Sequence, residues 1–132
     1  IARGIHNGQE KHWKHFNALC QPLRDRGIEP VVFPSPHEED DCRNACPDAR
    51  ICPPTSLGNY AALAKHAQVV IANDSGISHI AAAVGAKQIT LIGVTTIEKT
   101  GPWNAKALII GNMQKWPTIQ AVIDGIDYIL FN

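Results

Sequence analysis

Continuous apolar runs alternate with helix-like segments along this chain. Residues 68–72 read QVVIA, a continuous apolar run, and residues 87–93 read KQITLIG, a second run in which no charged side chain follows Lys87. Strands of this kind are buried on both faces, which is typical of a parallel sheet covered by helices on both sides. The segment between them, SGISHIAAAVG, has helical spacing and ends at Gly85. We therefore predict an α/β fold with a doubly wound, Rossmann-like parallel sheet.

The remaining segments fit the same alternation. We predict a helix over residues 12–27, a strand in EPVVF (residues 29–33) and a weaker strand in DARIC (residues 48–52). PSPHEEDD between them is expected to be a loop with a solvated acidic stretch. Thr55 or Ser56 can cap the next helix, whose predicted apolar face holds Leu57, Tyr60, Ala61, Ala64 and Ala67. KALIIG (residues 106–111) is a further strand, and residues 116–131 form the last helix.

The length, the charge balance and the apolar runs of the sequence limit the classes of protein that it can encode. A length of 132 residues fits one domain, and 12 basic against 12 acidic residues give no indication of nucleic-acid binding. No apolar run reaches the roughly 20 residues that span a bilayer. The sequence opens with IARGIHNG rather than Met, which reads as the tail of a strand entering a glycine-containing loop. We expect an excerpt of a longer protein.

The four cysteines of the chain are candidate ligands for a metal ion. Three of them, Cys42, Cys46 and Cys52, lie in one short segment, and the fourth is Cys20. A zinc site usually brings its ligands in Cys-x-x-Cys pairs, and these spacings are wider. We predict ordinary thiols, reduced in the cytosol, and no metal.

The junction NDSGISH, residues 73–79, is the main candidate site. Asp74, Ser75 and Gly76 follow a predicted strand and begin a predicted helix, and His79 lies one turn further on. The first amides of a helix have no intrahelical partner and carry partial positive charge, so such a junction can bind an anion. Gly76 has no side chain to keep a phosphate from the backbone. The same residues also suit an ordinary helix cap, and both interpretations stay open on the residues alone.

A resemblance to a known family helps to decide between the anion site and the ordinary helix cap. The segment NDSGISHIAAAVGAKQITLIGVTTIEKTGPW resembles the Asp-Ser-Gly-x-x-His-x-Ala-Ala-Ala-x-Gly motif and its continuation in glycosyltransferase family 9, which includes the ADP-heptose:lipopolysaccharide heptosyltransferases. Upstream, KHWKHFNALCQPLRDRGIEPVVFPSPHEE and TSLGNYAALAKHAQVVIANDSG are similar to the preceding family segments. The resemblance covers nearly the whole chain, and the order of the motifs is more specific than any single one.

The resemblance implies one half of a GT-B fold, with residues 1–132 as the C-terminal, nucleotide-sugar-binding domain of a two-domain chain. Asp74, Ser75, Gly76, His79 and Lys11 would contact the donor diphosphate and sugar. The nucleoside would lie against Glu38, Ser56 and Leu57, and Thr95 and Thr96 are weaker candidates. For Glu38 the fold adds an independent reason, since an acid after the second strand of a dinucleotide-binding fold binds ribose hydroxyls.

The implied activity is transfer of a heptose or related sugar from an ADP-sugar to a lipopolysaccharide core acceptor. No catalytic residue is expected in this chain, because the family's general base comes from the N-terminal domain; the chain alone should transfer nothing. No cofactor or metal is implied beyond the donor. We expect a cytoplasmic protein without a transmembrane segment, and leave peripheral association with the inner membrane open.

Some residues depart from the family pattern. Ile77-Ser78 stand where Pro-Met is frequent, and Ile92-Gly93-Val94-Thr95 stand where Phe-Gly-Pro-Thr is frequent. Two alternatives therefore remain. One is a domain like that of a UDP-N-acetylglucosamine 2-epimerase, which also has Asp-Ser-Gly but follows it with a glutamate-rich helix start, so His79 speaks against it. The other is a degenerate, non-catalytic nucleotide-binding domain.

Overall fold

The computed structural model of the chain describes the backbone of residues 5–6 and 9–10, and residues 12–93, 107–112 and 115–131 in full. In these ranges short parallel strands alternate with helices, as the sequence predicts. The strands are β1 (Ile5–His6), β2 (Gln9–Glu10), β3 (Val31–Val32), β4 (Arg50–Ile51), β5 (Val70–Asn73), β6 (Gln88–Ile92) and β7 (Leu108–Gly111). The helices are α1 (Cys20–Asp25), α2 (Glu39–Ala45), α3 (Leu57–His66), α4 (Gly76–Ala83) and α5 (Ile119–Phe131), and a 3-10 turn at Phe16–Leu19 precedes α1.

The parallel strands form two separate sections. Strands β5, β6 and β7 lie in that order, with Ile71 opposite Ile89 and Ile89 opposite Leu108. Strands β3 and β4 form a two-stranded parallel section of their own, and β1 and β2 form a small antiparallel ribbon. Because the strands within each parallel section run in the same direction, their carboxyl ends lie at one edge of that section.

Helices cover both faces of these strands. Strand β6 is buried throughout, and its two polar side chains, Gln88 and Thr90, are buried because the Gln88 amide donates to the Thr90 hydroxyl at 3.1 Å. The main apolar cluster joins one face of both sections to the 3-10 turn, α1 and α5; its buried members include Trp13, Phe16, Leu23, Val32, Ile89, Leu91, Val122 and Ile126. A smaller cluster of Ala64, Ala81 and Ala86 packs α3 against α4 on the opposite face. The doubly wound α/β class is therefore confirmed.

Trp13 ties three parts of the chain together. Its side chain is fully buried, and its indole Nε1 donates to the carbonyl oxygen of Pro117 at 2.9 Å. Its backbone N–H donates to Oδ1 of Asn73 at 2.9 Å. The segment before α1 is thereby fixed beside the carboxyl end of β5 and the start of α5.

Three sequence predictions of local structure need correction. The helix predicted over residues 12–27 becomes an α-helix only at Cys20, because Pro22 has no N–H to donate to Ala18 and is tolerated only in a first turn. The expected acidic loop contains α2, whose first turn carries Glu39, Asp40 and Asp41. Negative side chains stabilise a helix at that end, so the acidic run favours a helix start that the sequence analysis missed.

The third correction concerns α3. Leu57 was placed on its buried face, but 63% of this residue is exposed, and Ala64 is the only residue of α3 that is fully buried. The predicted cap is confirmed, since Ser56 Oγ accepts the N–H of Asn59 at 3.2 Å. No helix in the described ranges is long and apolar enough to cross a membrane.

Candidate functional site

The β5–α4 junction assembles as the sequence predicts. β5 ends at Asn73, and α4 begins at Gly76 with Ser75 in extended conformation as its N-cap. The N–H of Asp74 donates to the carbonyl oxygen of Leu91 at 3.1 Å, which holds the chain against β6 up to the turn. Asp74, Ser75, Gly76 and His79 therefore lie together at the carboxyl edge of the three-stranded section, where open α/β sheets bind ligands.

Asp74 and His79 differ sharply in exposure. The Asp74 side chain is 2% exposed, whereas that of His79 is 42% exposed, and their Oδ1 and Nε2 atoms are 3.9 Å apart. This distance exceeds that of a direct hydrogen bond but suits an ion pair when the imidazole is protonated. Asp74 can thus orient an imidazole that remains accessible to a ligand.

The start of α4 is only partly capped. The N–H of Ser75 donates to Ser78 Oγ at 3.3 Å, and Ser78 Oγ donates to the carbonyl oxygen of Ser75 at 2.8 Å. The hydroxyl of Ser78, a residue that departs from the family pattern, therefore caps part of the start of α4. Among the described residues, the N–H groups of Gly76 and Ile77 have no acceptor, so two amides remain for an anion.

Open space lies above Gly76. A Cβ atom built at this position would meet no atom within 4 Å. Its backbone is not in the left-handed region, so no local strain requires glycine here. The absence of a side chain instead leaves the two amides open to solvent.

Glu38 lies at the end of the other parallel section. It follows β3 as the N-cap of α2, and its carbonyl oxygen accepts the N–H of Cys42 at 2.9 Å. No hydrogen bond or ion pair of its carboxylate is found with the described residues, whereas neighbouring Glu39 pairs with Arg43 at 2.8 Å. The Glu38 carboxylate is therefore available to a ligand.

A cavity of about 540 Å³ borders the nucleoside candidates and reaches α4 at Ile77, but Asp74, Ser75, Gly76 and His79 are not among its lining residues. Glu38 and Leu57 line its wall on one side, and Ile77 at the start of α4 lines it on the other. Ser56 is held by its capping role and is not among the lining residues. The structure thus places Glu38 and Leu57 at one cavity with the α4 terminus, while Ser56 supports the helix start behind Leu57.

Sequence reasoning missed Tyr60 in this cavity. Burial raises the pKa of its hydroxyl to about 12, and that hydroxyl has no hydrogen-bond partner among the described residues. A tyrosine on the predicted apolar face of α3 was the available signal, because buried tyrosines usually find a partner for the hydroxyl. Lys11, Thr95 and Thr96 lie outside the described residues, so their predicted contacts stay predictions.

Two of the four cysteines, Cys20 and Cys46, line this cavity. Cys20 Sγ lies 3.5 Å from Cys46 Sγ, and burial together with this contact raises the pKa of Cys46 to about 12. Cys42 is also buried, Cys52 is half-buried, and all four are free thiols. Within the described ranges no group of three His, Cys, Asp or Glu side chains is arranged to hold a metal ion. The prediction that these thiols bind no zinc stays a prediction.

Comparison with known proteins connects this geometry to one family. Residues 2–124 match the family described as glycosyltransferase family 9 (heptosyltransferase). The chain is 32% identical to the lipooligosaccharide heptosyltransferase 2 of Haemophilus influenzae, over 81% of this chain and 34% of that protein. It is 34% identical to a lipopolysaccharide heptosyltransferase 3 of Escherichia coli, over 78% of this chain and 33% of that protein. The chain thus spans about a third of these relatives.

Solved structures agree with the sequence comparison. The structure of the E. coli heptosyltransferase WaaC with ADP superposes with a TM-score of 0.78 at 25% identity, covering 95% of this chain and 42% of that one. The E. coli ADP-heptose lps heptosyltransferase II superposes with a TM-score of 0.77 at 24% identity, which supports the fold. With a family match over nearly its whole length, identities above 30% to curated relatives and the same α/β architecture, the chain belongs to glycosyltransferase family 9.

Proposed function

We propose that residues 1–132 form the donor-binding domain of a glycosyltransferase that moves a heptose from ADP-heptose to a lipopolysaccharide core acceptor. The observation that carries the proposal is the open start of α4, where two backbone amides, Asp74 and the exposed His79 surround empty space at the carboxyl end of β5. Family membership and the names of the relatives supply the sugar and the acceptor.

The chemistry of sugar transfer fits an anion site of this kind. The acceptor oxygen forms a bond to the anomeric carbon of the sugar, the bond from that carbon to the diphosphate oxygen breaks, and a base takes the acceptor proton. Negative charge develops on the leaving diphosphate. Fixed donors directed at this charge lower the barrier, and here they are the N–H groups of Gly76 and Ile77 together with His79.

The nucleoside would occupy the cavity mouth beside the start of α2 and α3. The carboxylate of Glu38, which has no partner in the described part of the chain, would accept hydrogen bonds from the two ribose hydroxyls. The exposed side chain of Leu57 would cover one face of the base. Lys11 would add a positive charge beside the phosphates. Thr95 and Thr96 are weaker candidates for the same region.

The acceptor and the general base are assigned to the rest of the protein. The chain spans 34% of its first curated relative, and none of its described carboxylates is both exposed and placed next to the α4 terminus. We therefore expect a two-domain GT-B enzyme in the cytoplasm, with the acceptor brought by the other domain. The 132-residue chain alone should bind nucleotide without transferring sugar.

Transfer by the full-length protein tests this proposal. Purified protein is incubated with ADP-heptose and a lipopolysaccharide core acceptor, and ADP release and the mass of the acceptor are followed, with a reaction lacking acceptor as control. ADP release that depends on the acceptor, with one heptose added per turnover, is expected. Nucleotide binding without transfer would mean a degenerate domain, and conversion of UDP-N-acetylglucosamine would mean an epimerase.

A further inference from the structure

Three polar residues are buried where the first turn of α4 meets β6. Ser78, Gln88 and Thr90 are each 1% exposed or less. The other fully buried positions of α4 are alanines, Ala81 and Ala82. Burial of polar groups costs free energy unless they are hydrogen-bonded, so this polar contact needs a reason beyond packing.

The side-chain amide of Gln88 joins the strand to the helix. Successive residues of a strand point to opposite faces, and Ile89 and Leu91 belong to the main apolar cluster, so Gln88 and Thr90 point toward α4. Gln88 Nε2 donates to the carbonyl oxygen of Ser78 and to Thr90 Oγ1, both at 3.1 Å. Because a carbonyl oxygen can only accept, the Ser78 contact fixes the N–H₂ end of the amide toward the helix.

The hydrogen bonds continue from Ser78 to the open start of α4. Ser78 Oγ accepts the N–H of Ser75 at 3.3 Å and donates to the Ser75 carbonyl oxygen at 2.8 Å. Ser75 is the N-cap, and the open amides of Gly76 and Ile77 follow it directly. A chain of bonded groups thus leads from the buried strand to these amides, through Thr90, Gln88, Ser78 and Ser75.

The same contact also fixes the backbone that carries His79. The carbonyl group of Ser78 and the N–H of His79 belong to one planar peptide unit. Gln88 holds the carbonyl end of this unit, and the N–H end donates to the carbonyl oxygen of Ser75 at 3.3 Å. Both groups that would meet a diphosphate, the amides and the imidazole, are therefore tied to β6 through Gln88.

Apolar packing alone defines the position of this turn less sharply. Alanine side chains are short and interlock little with their neighbours, and Gly76 contributes no side chain at all. A hydrogen bond is restricted in both distance and angle, and a fully bonded buried network favours one arrangement of the elements it joins. The Gln88 amide therefore adds a directional constraint that the alanine contacts lack.

We propose that Gln88 is a positioning residue for the donor diphosphate. Its amide holds the first turn of α4 so that the N–H groups of Gly76 and Ile77 and the imidazole of His79 are directed at one anion. Gln88 is buried and acts through Ser78, without touching the ligand itself. Donors that are already in place when the charge arrives need no reorganisation, which is why their orientation matters. The inference rests on the proposed function, because it requires a diphosphate at this helix start.

Replacement of Gln88 by methionine in the full-length protein tests the proposal. Methionine has a similar length and fills the same space, but it cannot donate to the Ser78 carbonyl oxygen. Affinity for ADP should fall roughly fivefold or more. Affinity for adenosine, which has no phosphate, should stay unchanged. Both ligands are titrated calorimetrically, and the urea midpoint of each variant is measured alongside.

Ile89→Val is the matched control for stability. Ile89 is the next residue of the same strand, is fully buried, and faces α5 near Gly125 rather than α4. Loss of its methyl group should lower the urea midpoint and leave ADP affinity as in wild type. An equal loss of ADP affinity in Ile89→Val would attribute the effect to general destabilisation and would overturn the proposal.

A double-variant cycle with Gly76→Ala tests whether Gln88 acts through the amides. The Cβ of Gly76→Ala would block a phosphate from them, so Gln88→Met should then cause little further loss of ADP affinity. A residue that only stabilises the fold would have the same effect in both backgrounds. Such additivity would overturn the proposal.

The remaining outcomes also decide the matter. Wild-type ADP affinity in a folded Gln88→Met protein, or an equal loss for ADP and adenosine, would overturn the positioning role and leave the proposed function standing. If Gln88→Met does not fold, Gln88→Asn replaces it with the same expected results, because its amide is one methylene too short to reach both acceptors. Absence of ADP binding by the wild-type protein would refute the proposed function, and the role of Gln88 with it.

Discussion

At the scale of single residues, the candidate site combines a buried carboxylate with an accessible imidazole. Asp74 is enclosed by the turn that follows β5, and its removal would disturb the fold as well as the chemistry. His79 is partly exposed, and Asp74 is its nearest charged partner in the described chain, at 3.9 Å. Substitution of His79 therefore separates function from stability better than substitution of Asp74.

His79→Ala should lower kcat of the full-length enzyme by roughly 100-fold, the effect of removing one donor to developing negative charge. Its free energy of unfolding should change by about 0.5 kcal/mol or less, as for other exposed positions. His66→Ala is the matched control, because His66 is an exposed histidine at the last position of α3 and does not belong to the β5–α4 junction. Equal kcat for wild type and His79→Ala would assign His79 a structural role.

Glu38→Ala should weaken ADP binding at least about tenfold, since hydrogen bonds to a charged group contribute roughly 1.5–3 kcal/mol each. Asp40→Ala is a cleaner control than a change at Glu39, because Asp40 is exposed and Glu39 pairs with Arg43. Calorimetric titration of both variants with ADP makes the comparison. Equal affinities would place the ribose away from Glu38.

At the scale of secondary-structure elements, local sequence signals predicted most of the helix and strand positions. The cap at Ser56, the end of α4 at Gly85 and the buried strand β6 follow from residue types and spacing. The start of α1 and the presence of α2 were not predicted from the sequence. Pro22 shifts the α-helical hydrogen bonds toward the end of its segment, and an acidic run suits both a loop and a helix start.

One contact between α1 and α5 should make the stability of the fold depend on pH. Arg26, just after α1, makes a two-pronged pair with Asp127 of α5, at 2.5 and 2.9 Å. The hydrogen bond from Arg26 holds the pKa of Asp127 below its usual range. A carboxylate with a lowered pKa stabilises the fold above its unfolded pKa of about 3.9, and this contribution is lost as pH falls through the folded value.

Asp127→Asn should therefore lower the urea midpoint at pH 7, and the gap from wild type should close below about pH 3. Arg26 is 24% exposed and Asp127 39% exposed, so solvent screens the pair and the effect should be small, as it is for surface ion pairs. Asp124 lies one turn earlier in α5 and accepts a hydrogen bond from Gln120 and from no other residue that the structure describes, so Asp124→Asn should leave the midpoint unchanged at both pH values. A gap that persists unchanged in acid would show that charge at Asp127 is not the cause.

At the scale of the whole molecule, the sequence predicted the fold class and the order of motifs, but not which distant residues meet. Asn73 binds the backbone of Trp13 across 60 positions, and Cys20 contacts Cys46 across 26. Neither contact is indicated by the residues next to it in the sequence. The junction at Asp74 was predictable because strand, turn and helix start are adjacent in sequence, whereas the cavity is formed by segments that only the tertiary fold brings together.

The candidate site likewise combines features that the sequence predicts with features that only the structure shows. Glu38 could be proposed from its place after a strand, and the structure then showed its carboxylate free of ion pairs with the described residues. The role of Ser78 could not be inferred from its departure from the family pattern. Its hydroxyl accepts the N–H of Ser75 and caps part of the α4 start, and among the described residues the N–H groups of Gly76 and Ile77 stay without an acceptor.

The central claim is that the open start of α4 binds the diphosphate of the donor, and Gly76→Ala tests it most directly. The added Cβ meets no protein atom within 4 Å, so the fold should be unaffected or stabilised by about 0.4–1 kcal/mol. It would, however, occupy the space through which a phosphate reaches the two amides. We would titrate the wild-type and Gly76→Ala full-length proteins with ADP, and with adenosine as the ligand that lacks phosphate. A loss of ADP affinity of about tenfold or more, with adenosine affinity unchanged, is predicted. Unchanged ADP affinity in a folded Gly76→Ala protein would contradict the claim.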